Sequence, residues 1–158
     1  MVSIETCPPL DASEIDQIDA NASAVEKAGM YVPFLGWMVS QALWRARTSP
    51  IHKKLMQQLL DRQDTHEAWG EDSAFRQFAQ KVCEIAKQEF GWPNARFVPW
   101  DPSRAVFWAY RDGLDFDCFV TEVEIYFKIS FTDEEAENML DGNLQVVIEN
   151  LFHRVKVK

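Results

Sequence analysis

DGLDFDCFVTEVEIYFKISFTDEEAE, Asp112 to Glu137, is the stretch on which the fold turns. Read with a period of two, Val123, Ile125, Phe127, Ile129 and Phe131 alternate with Glu122, Glu124, Tyr126, Lys128 and Ser130, the pattern of a half-buried strand rich in β-branched and aromatic residues. Asp112 and Gly113 then form a hairpin turn back to RAVFWAY, Arg104 to Tyr110. Read with a helical period, Phe116, Phe119, Val120, Val123 and Phe127 share one face. Asp112 becomes the N-cap, and Asp115 places a carboxylate in the electropositive first turn. Local propensity leans slightly toward the strand, but propensity is a preference that tertiary packing overrides.

On either side of this stretch the signals are clearer. Phe75, Phe78, Ala79, Val82, Ile85, Ala86 and Phe90 mark an amphipathic helix, with Asp72 or Ser73 to cap it and Gly91 to close it. GWPNARFVPWDPSRAVFW follows, an ordered loop that must bury Trp92, Phe97, Trp100, Phe107 and Trp108. Beyond the acidic turn, Leu144, Val147, Ile148, Leu151 and Val155 give a last helix face. Toward the N-terminus, SEIDQIDANASAVEKA has the makings of a weak helix capped by Ser13. Leu35, Val39, Ala42, Leu43 and Ala46 recur at helical spacing until Thr48-Ser49-Pro50 breaks the chain, and a second helix carries Ile51, Leu55, Met56, Leu59 and Leu60 on one face. DRQDTHEAWGED, 61 to 72, has no apolar periodicity and reads as a linker.

Laid over these elements, the opening stretch resembles an acyl carrier protein. That family opens its second helix with Asp-Ser-Leu-Asp, continues into an acidic and apolar helix, and reaches an acidic turn before its last helix. Without a gap, Asp112, Gly113, Leu114 and Asp115 fall on the motif, Phe127 on the helix-end aromatic, Ile129 and Phe131 on the loop hydrophobes, and TDEEAE from Thr132 to Glu137 on the acidic turn. The helix from Phe75 to Phe90 falls where the family has its first. The resemblance covers roughly the last half of the chain and implies a helix over 116–127. It also implies a missing part. The family's serine carries a phosphopantetheine arm through a phosphodiester, and Gly113, in its place, has no hydroxyl. Thr121 and Ser103 lie elsewhere, and Cys118 offers a thiol. No cofactor is therefore expected.

The expectation is a mostly α protein: an arm over residues 1–12 expected to be mobile, a helical extension over 13–68, and an acyl-carrier-like four-helix bundle over 69–158. An α+β domain with a meander from Arg96 to Phe131 is the alternative fold. Acids dominate from Asp112 to Asp141. The resemblance implies a docking face on the second helix, with Asp112, Asp115, Asp117, Glu122 and Glu124 meeting a protein partner that carries a basic patch. A solvated face is the plainer alternative. A pocket for a small apolar ligand or lipid, built from the aromatic loop and the N-terminal helices, is a second functional reading.

Composition bounds these readings. A net charge of -9 opposes general nucleic-acid binding, which requires cations to neutralise phosphates. Basic residues gather at Arg45, Arg47, Lys53, Lys54 and Arg62, and the expectation is that this helix lies on the chain's own acidic half, with Leu55, Leu59 and Leu60 packing near Trp100 and Trp108. Cys7, Cys83 and Cys118 form neither a disulfide framework nor a metal motif, which suits a reducing cytoplasm. Cys83 is expected on the polar side of its helix or at its edge. His52, His66 and His153 lack ligand spacing. MVSIETCPPLDASEID shows neither a basic start nor an apolar run, so no secretory signal is expected, and MYVPFLGWMV is too short to span a bilayer, which needs roughly 20 residues.

Overall fold

The computed structural model describes residues 7–15, 35–107 and 114–156. The chain is mostly helical, and no strand occurs among the described residues. One isolated antiparallel bridge joins Pro102 to Asn143. The meander alternative is thereby overturned: the period-two residues Val123, Ile125 and Phe127 lie on a helix.

In chain order, α1 spans Leu35–Asp61, a 3-10 turn His66–Trp69, α2 Ser73–Phe90, the single turn α3 Ser103–Val106, α4 Leu114–Phe127, α5 Asp133–Glu137, a second 3-10 turn Asn138–Leu140, and α6 Leu144–Lys156. The caps follow the sequence signals. Asp72 accepts from the amides of Ala74 and Phe75, and Gly91, at φ 67°, ends α2 in the left-handed region with its amide bonded to the Lys87 carbonyl. Thr132 and Glu135 form a reciprocal capping box at the start of α5. Lys128, at φ 56°, turns the chain out of α4, and Ile129 donates its amide back to the Glu124 carbonyl.

Packing decides α4. A strand would send Phe116 and Phe119 to opposite faces, whereas a helix gathers Phe116, Phe119, Val123 and Phe127 against α2. Phe119 and Val123 are fully buried, and Phe116 and Phe127 pack on the same cluster. Phe78 lies 4.4 Å from Phe127, Phe90 lies 5.8 Å from Phe119, and Phe107 of the loop lies 4.7 Å from Phe119, all between ring centroids. α6 closes the cluster with Val147, Ile148 and Leu151, and Phe152 lies 5.2 Å from Phe78. The core expected from Phe75, Phe78, Val82, Phe119, Val123, Phe127, Val147, Ile148 and Leu151 is thus one body, with Phe75 and Phe127 at its margin.

The N-terminal side departs from expectation in three places. First, α1 does not break at Thr48-Ser49-Pro50; it runs straight through, with Pro50 inside. Proline removes a single amide donor, and Ala46, whose carbonyl would have received it, is exposed, so water can serve that carbonyl. Ala42, Leu43 and Ala46 are exposed rather than a buried face, while Ile51, Leu55 and Leu59 join the core. Second, 61–72 is not a free linker. Arg62 and Trp69 are buried, and the Trp69 indole donates to the Phe97 carbonyl at 3.2 Å. Third, the described part of the arm is held down. Leu10 is 2% exposed, and Trp100 donates to the Cys7 carbonyl at 2.8 Å. Lys54 pairs with Asp11 and Glu14 at 2.8 Å, so the acids it meets belong to the N-terminal segment and not to 112–141. Residues 16–28 of the helix expected over 13–28, the first half of MYVPFLGWMV, and Trp108 lie outside the described residues.

Candidate functional site

Of the acids expected to dock a partner, Asp112 lies outside the described residues, as does Gly113. The other four do not form one face. At 100° per residue, Asp115 and Glu122 fall on one edge of α4 and Asp117 and Glu124 on the other. Between the edges runs an exposed stripe of Cys118, Thr121 and Ile125, opposite the buried Phe119 and Val123. Ile125 is 65% exposed, the most exposed of the large hydrophobic residues among those described. Beside it Tyr126 is covered by the Lys81 ammonium, 4.3 Å from the ring centroid.

The two acidic edges differ in what they do. Glu124 turns to the chain itself, accepting the Phe131 amide at 2.6 Å, and so closes the loop after α4. Asp117 is exposed, and the Thr121 hydroxyl donates to its backbone carbonyl at 2.8 Å, which leaves the carboxylate in solvent. On the opposite edge Asp115 and Glu122 face Glu89 of α2. Partial burial, and then the charges of Glu122 and Asp115, push the Glu89 carboxyl above the usual carboxylate range. The outer surface of α4 is therefore an apolar ridge between two negative margins.

A second constellation was hidden from sequence reasoning. Arg62, at the end of α1, is 7% exposed and Asp101, in the aromatic loop, is 0% exposed. Both Arg62 nitrogens reach the Asp101 carboxylate at 2.6 Å, a bidentate pair. The carboxylate also accepts the Leu10 amide at 2.8 Å and the Val98 amide at 2.9 Å, and the guanidinium donates onward to the carbonyls of Pro8 and Arg96. The Asp101 carbonyl in turn receives the Leu144 amide at 2.9 Å. Arm, α1, loop and α6 thus meet at one satisfied ion pair. Four of the five guanidinium N–H groups and both carboxylate oxygens are engaged within the protein, so its work is positional. The only hint in the sequence is an acid, between Trp100 and Pro102, in a loop that carries no other.

Among the described residues no cluster of three or more His, Cys, Asp or Glu is arranged to hold a metal ion. Cys83 is buried, not at the polar edge of α2, and its burial pushes the thiol well above the usual range and leaves it inert. His52 stacks at 5.1 Å on Trp92, while His153 is exposed on α6. Among the described residues no helix is long and apolar enough to cross a membrane. No family model, no curated protein and no solved structure matches this chain.

Proposed function

We propose that this chain is a non-catalytic, acyl-carrier-like module that docks a protein partner through the outer face of α4 and bears no phosphopantetheine. The observation that carries the reading is the exposed Ile125 ridge with carboxylates on both sides. A partner with a basic patch around an apolar recess complements it: the charges steer and orient the encounter, and the buried isoleucine supplies contact area. The element order adds support, with a long first helix, a long loop, an acidic second helix, a short capped third helix and an amphipathic last one. The lack of a hydroxyl at Gly113 turns such a frame from carrying to binding. A cytoplasmic setting and the absence of nucleic-acid partners belong to the same proposal and rest on the cysteine content and the net charge of -9.

Two measurements test it. Incubation with coenzyme A and a broad-specificity phosphopantetheinyl transferase is expected to leave the intact mass unchanged, and a gain of one arm would overturn the claim. Immobilised wild-type protein is expected to retain partners from lysate at low salt that are lost on the Asp117→Lys/Glu122→Lys/Ile125→Ala surface. Retention of the same proteins by that variant would remove α4 as the docking face.

A further inference from the structure

Cys7-Pro8-Pro9-Leu10-Asp11 lies on the body of the protein as a peptide lies in a receptor. Each directional contact to it comes from a side chain of α1 or of the aromatic loop. The Trp100 indole donates to the Cys7 carbonyl at 2.8 Å, and Arg62 donates to the Pro8 carbonyl at 2.8 Å. The Asp101 carboxylate accepts the Leu10 amide at 2.8 Å, the Gln58 side chain accepts the Asp11 amide at 3.1 Å, and Lys54 pairs with the Asp11 carboxylate at 2.8 Å. Leu10 is the anchor, 2% exposed, while Pro8 and Pro9 stand in solvent. No helix or turn forms before Ser13. Cys7 and Pro8 each precede a proline, which favours extended backbone.

The contacts match the pattern of the segment. Proline has no N–H, and the groove meets the proline pair with a donor to a carbonyl and resumes with acceptors at Leu10 and Asp11. A segment lacking the prolines brings two amides to which none of these side chains offers an acceptor. The groove also holds its shape through bonds that do not involve the arm. Arg62 and Asp101 bond each other, the Arg96 carbonyl fixes the guanidinium, the Val98 amide fixes the carboxylate, and the Leu144 amide holds the Asp101 carbonyl. Nor does the arm fill the space open to it. A cleft of about 850 Å³ lies along Cys7, Pro8 and Pro9 and is lined also by Thr65, Glu67 and Ala68.

We propose that this groove docks an extended segment of a partner protein with the pattern apolar-Pro-Pro-Leu-Asp, and that the chain's own arm is its resident, self-masking occupant. A tethered occupant acts at an effective concentration of about a millimolar, so an identical arm on a second copy does not displace it at ordinary protein concentrations. A partner segment that keeps the frame and places a larger apolar side chain at the position of Cys7 gains contact area in the open cleft. The groove shares no residue with the outer face of α4, and its failure leaves that face untouched.

Hydrogen exchange and a peptide titration test the proposal. In the unaltered chain the amides of Leu10 and Asp11 are expected to exchange by local opening, about 100-fold or more faster than those of Phe119 and Val123. Equal rates make the arm part of the cooperative core and overturn the claim, whether or not any variant folds. The ¹⁵N-labelled full chain carrying Leu10→Ser is then titrated with a capped peptide of residues 7–15. Shifts are expected at the Val98 and Leu144 amides and the Trp100 indole, with a Kd about tenfold or more below that for the unaltered chain, because the resident no longer competes. Cys7→Phe in the peptide is expected to tighten binding about threefold or more, and Leu10→Ser in the peptide to abolish it. No shift by about 5 mM peptide, no gain from Cys7→Phe, or shifts centred on Asp117, Glu122 and Ile125 overturns the proposal. A dimer of the unaltered chain that the peptide dissociates assigns the groove to a second copy's arm and overturns the partner.

Discussion

The aromatic core between α2, α4 and α6 and the ion pair at Arg62 both join distant parts of the chain, but by opposite means. In the core, ring pairs meet at interplanar angles from 28° for Phe116 on Phe119, through 58° for Phe78 on Phe152, to 78° for Phe75 on Phe152, and no single angle is required. Burial there is non-directional, so its strength scales with apolar area. At Arg62 and Asp101 each contact has a donor, an acceptor and an angle, and four backbone groups depend on two side chains that also bond each other twice. Loss of one ring leaves a cavity. Loss of one charge leaves the other stranded.

That contrast can be broken most severely at Asp101. Asp101→Leu abandons a buried guanidinium and the amides of Leu10 and Val98, and is expected to cost about 3–5 kcal/mol in urea denaturation. Arg62→Met/Asp101→Leu is expected to recover part of that loss, because the stranded charge is gone, but not all, because the two amides still lack an acceptor. A single-variant loss below about 1 kcal/mol would show that water reaches the pair. In the core, Phe119→Ala is expected to cost roughly 3–5 kcal/mol, the usual range for a buried phenylalanine. Ile125→Ala on the same helix is expected to stay within about 0.5 kcal/mol. Equal losses at the two positions would mean that α4 is turned the other way.

A smaller effect sharpens the comparison at the surface. Glu135 closes the α5 capping box and pairs with Arg154 of α6. The Arg154 side chain, and then the Thr132 amide, lower its carboxyl from an ordinary 4.5 to about 2. A depressed carboxylate stabilises the fold above its unfolded value, and that contribution fades as pH falls from about 4.5 toward 2. Glu135→Gln is therefore expected to flatten the acid limb of stability against pH, with little change at neutral pH beyond the loss of an exposed pair. Thr132→Ala, which removes the cap, is expected to cost about 1 kcal/mol. An unchanged acid limb in Glu135→Gln would assign the acid sensitivity to other carboxylates.

How much of this was legible follows from the same difference. Periodicity records which residues face a common core, so the helix from Phe75 to Phe90 and the last helix were readable from it, whereas over 116–127 periods of two and of 3.6 both fitted and only the carrier resemblance implied the helix. Asp72, Gly91 and the Thr132 box were readable because caps are local. The Arg62–Asp101 pair was not, because its members are 39 residues apart and each resembles a surface charge where it stands. The segment 61–72 looked like a linker for the same reason: Arg62 and Trp69 are held by the loop, not by neighbours in sequence. Pro50 misled differently. The rule that proline ends helices weighs the lost donor, while the continuation of α1 depends on whether the orphaned carbonyl faces water. The docking acids were legible as a cluster, but their division between two edges of α4, and the use of Glu124 by the Phe131 amide, required the fold.

The anchoring of the arm has a consequence in time. Leu10 and its acceptor Asp101 are separated by 91 residues. At synthesis rates of 5–20 residues per second, roughly 5–18 s pass between the emergence of the arm and that of its anchor. Throughout that interval Leu10 has no burial site and Arg62 has no carboxylate. Closing so long a loop adds slowly growing chain entropy to every contact it makes, and topologies rich in such contacts fold late. The N-terminal segment, first to be made, is thus among the last to settle.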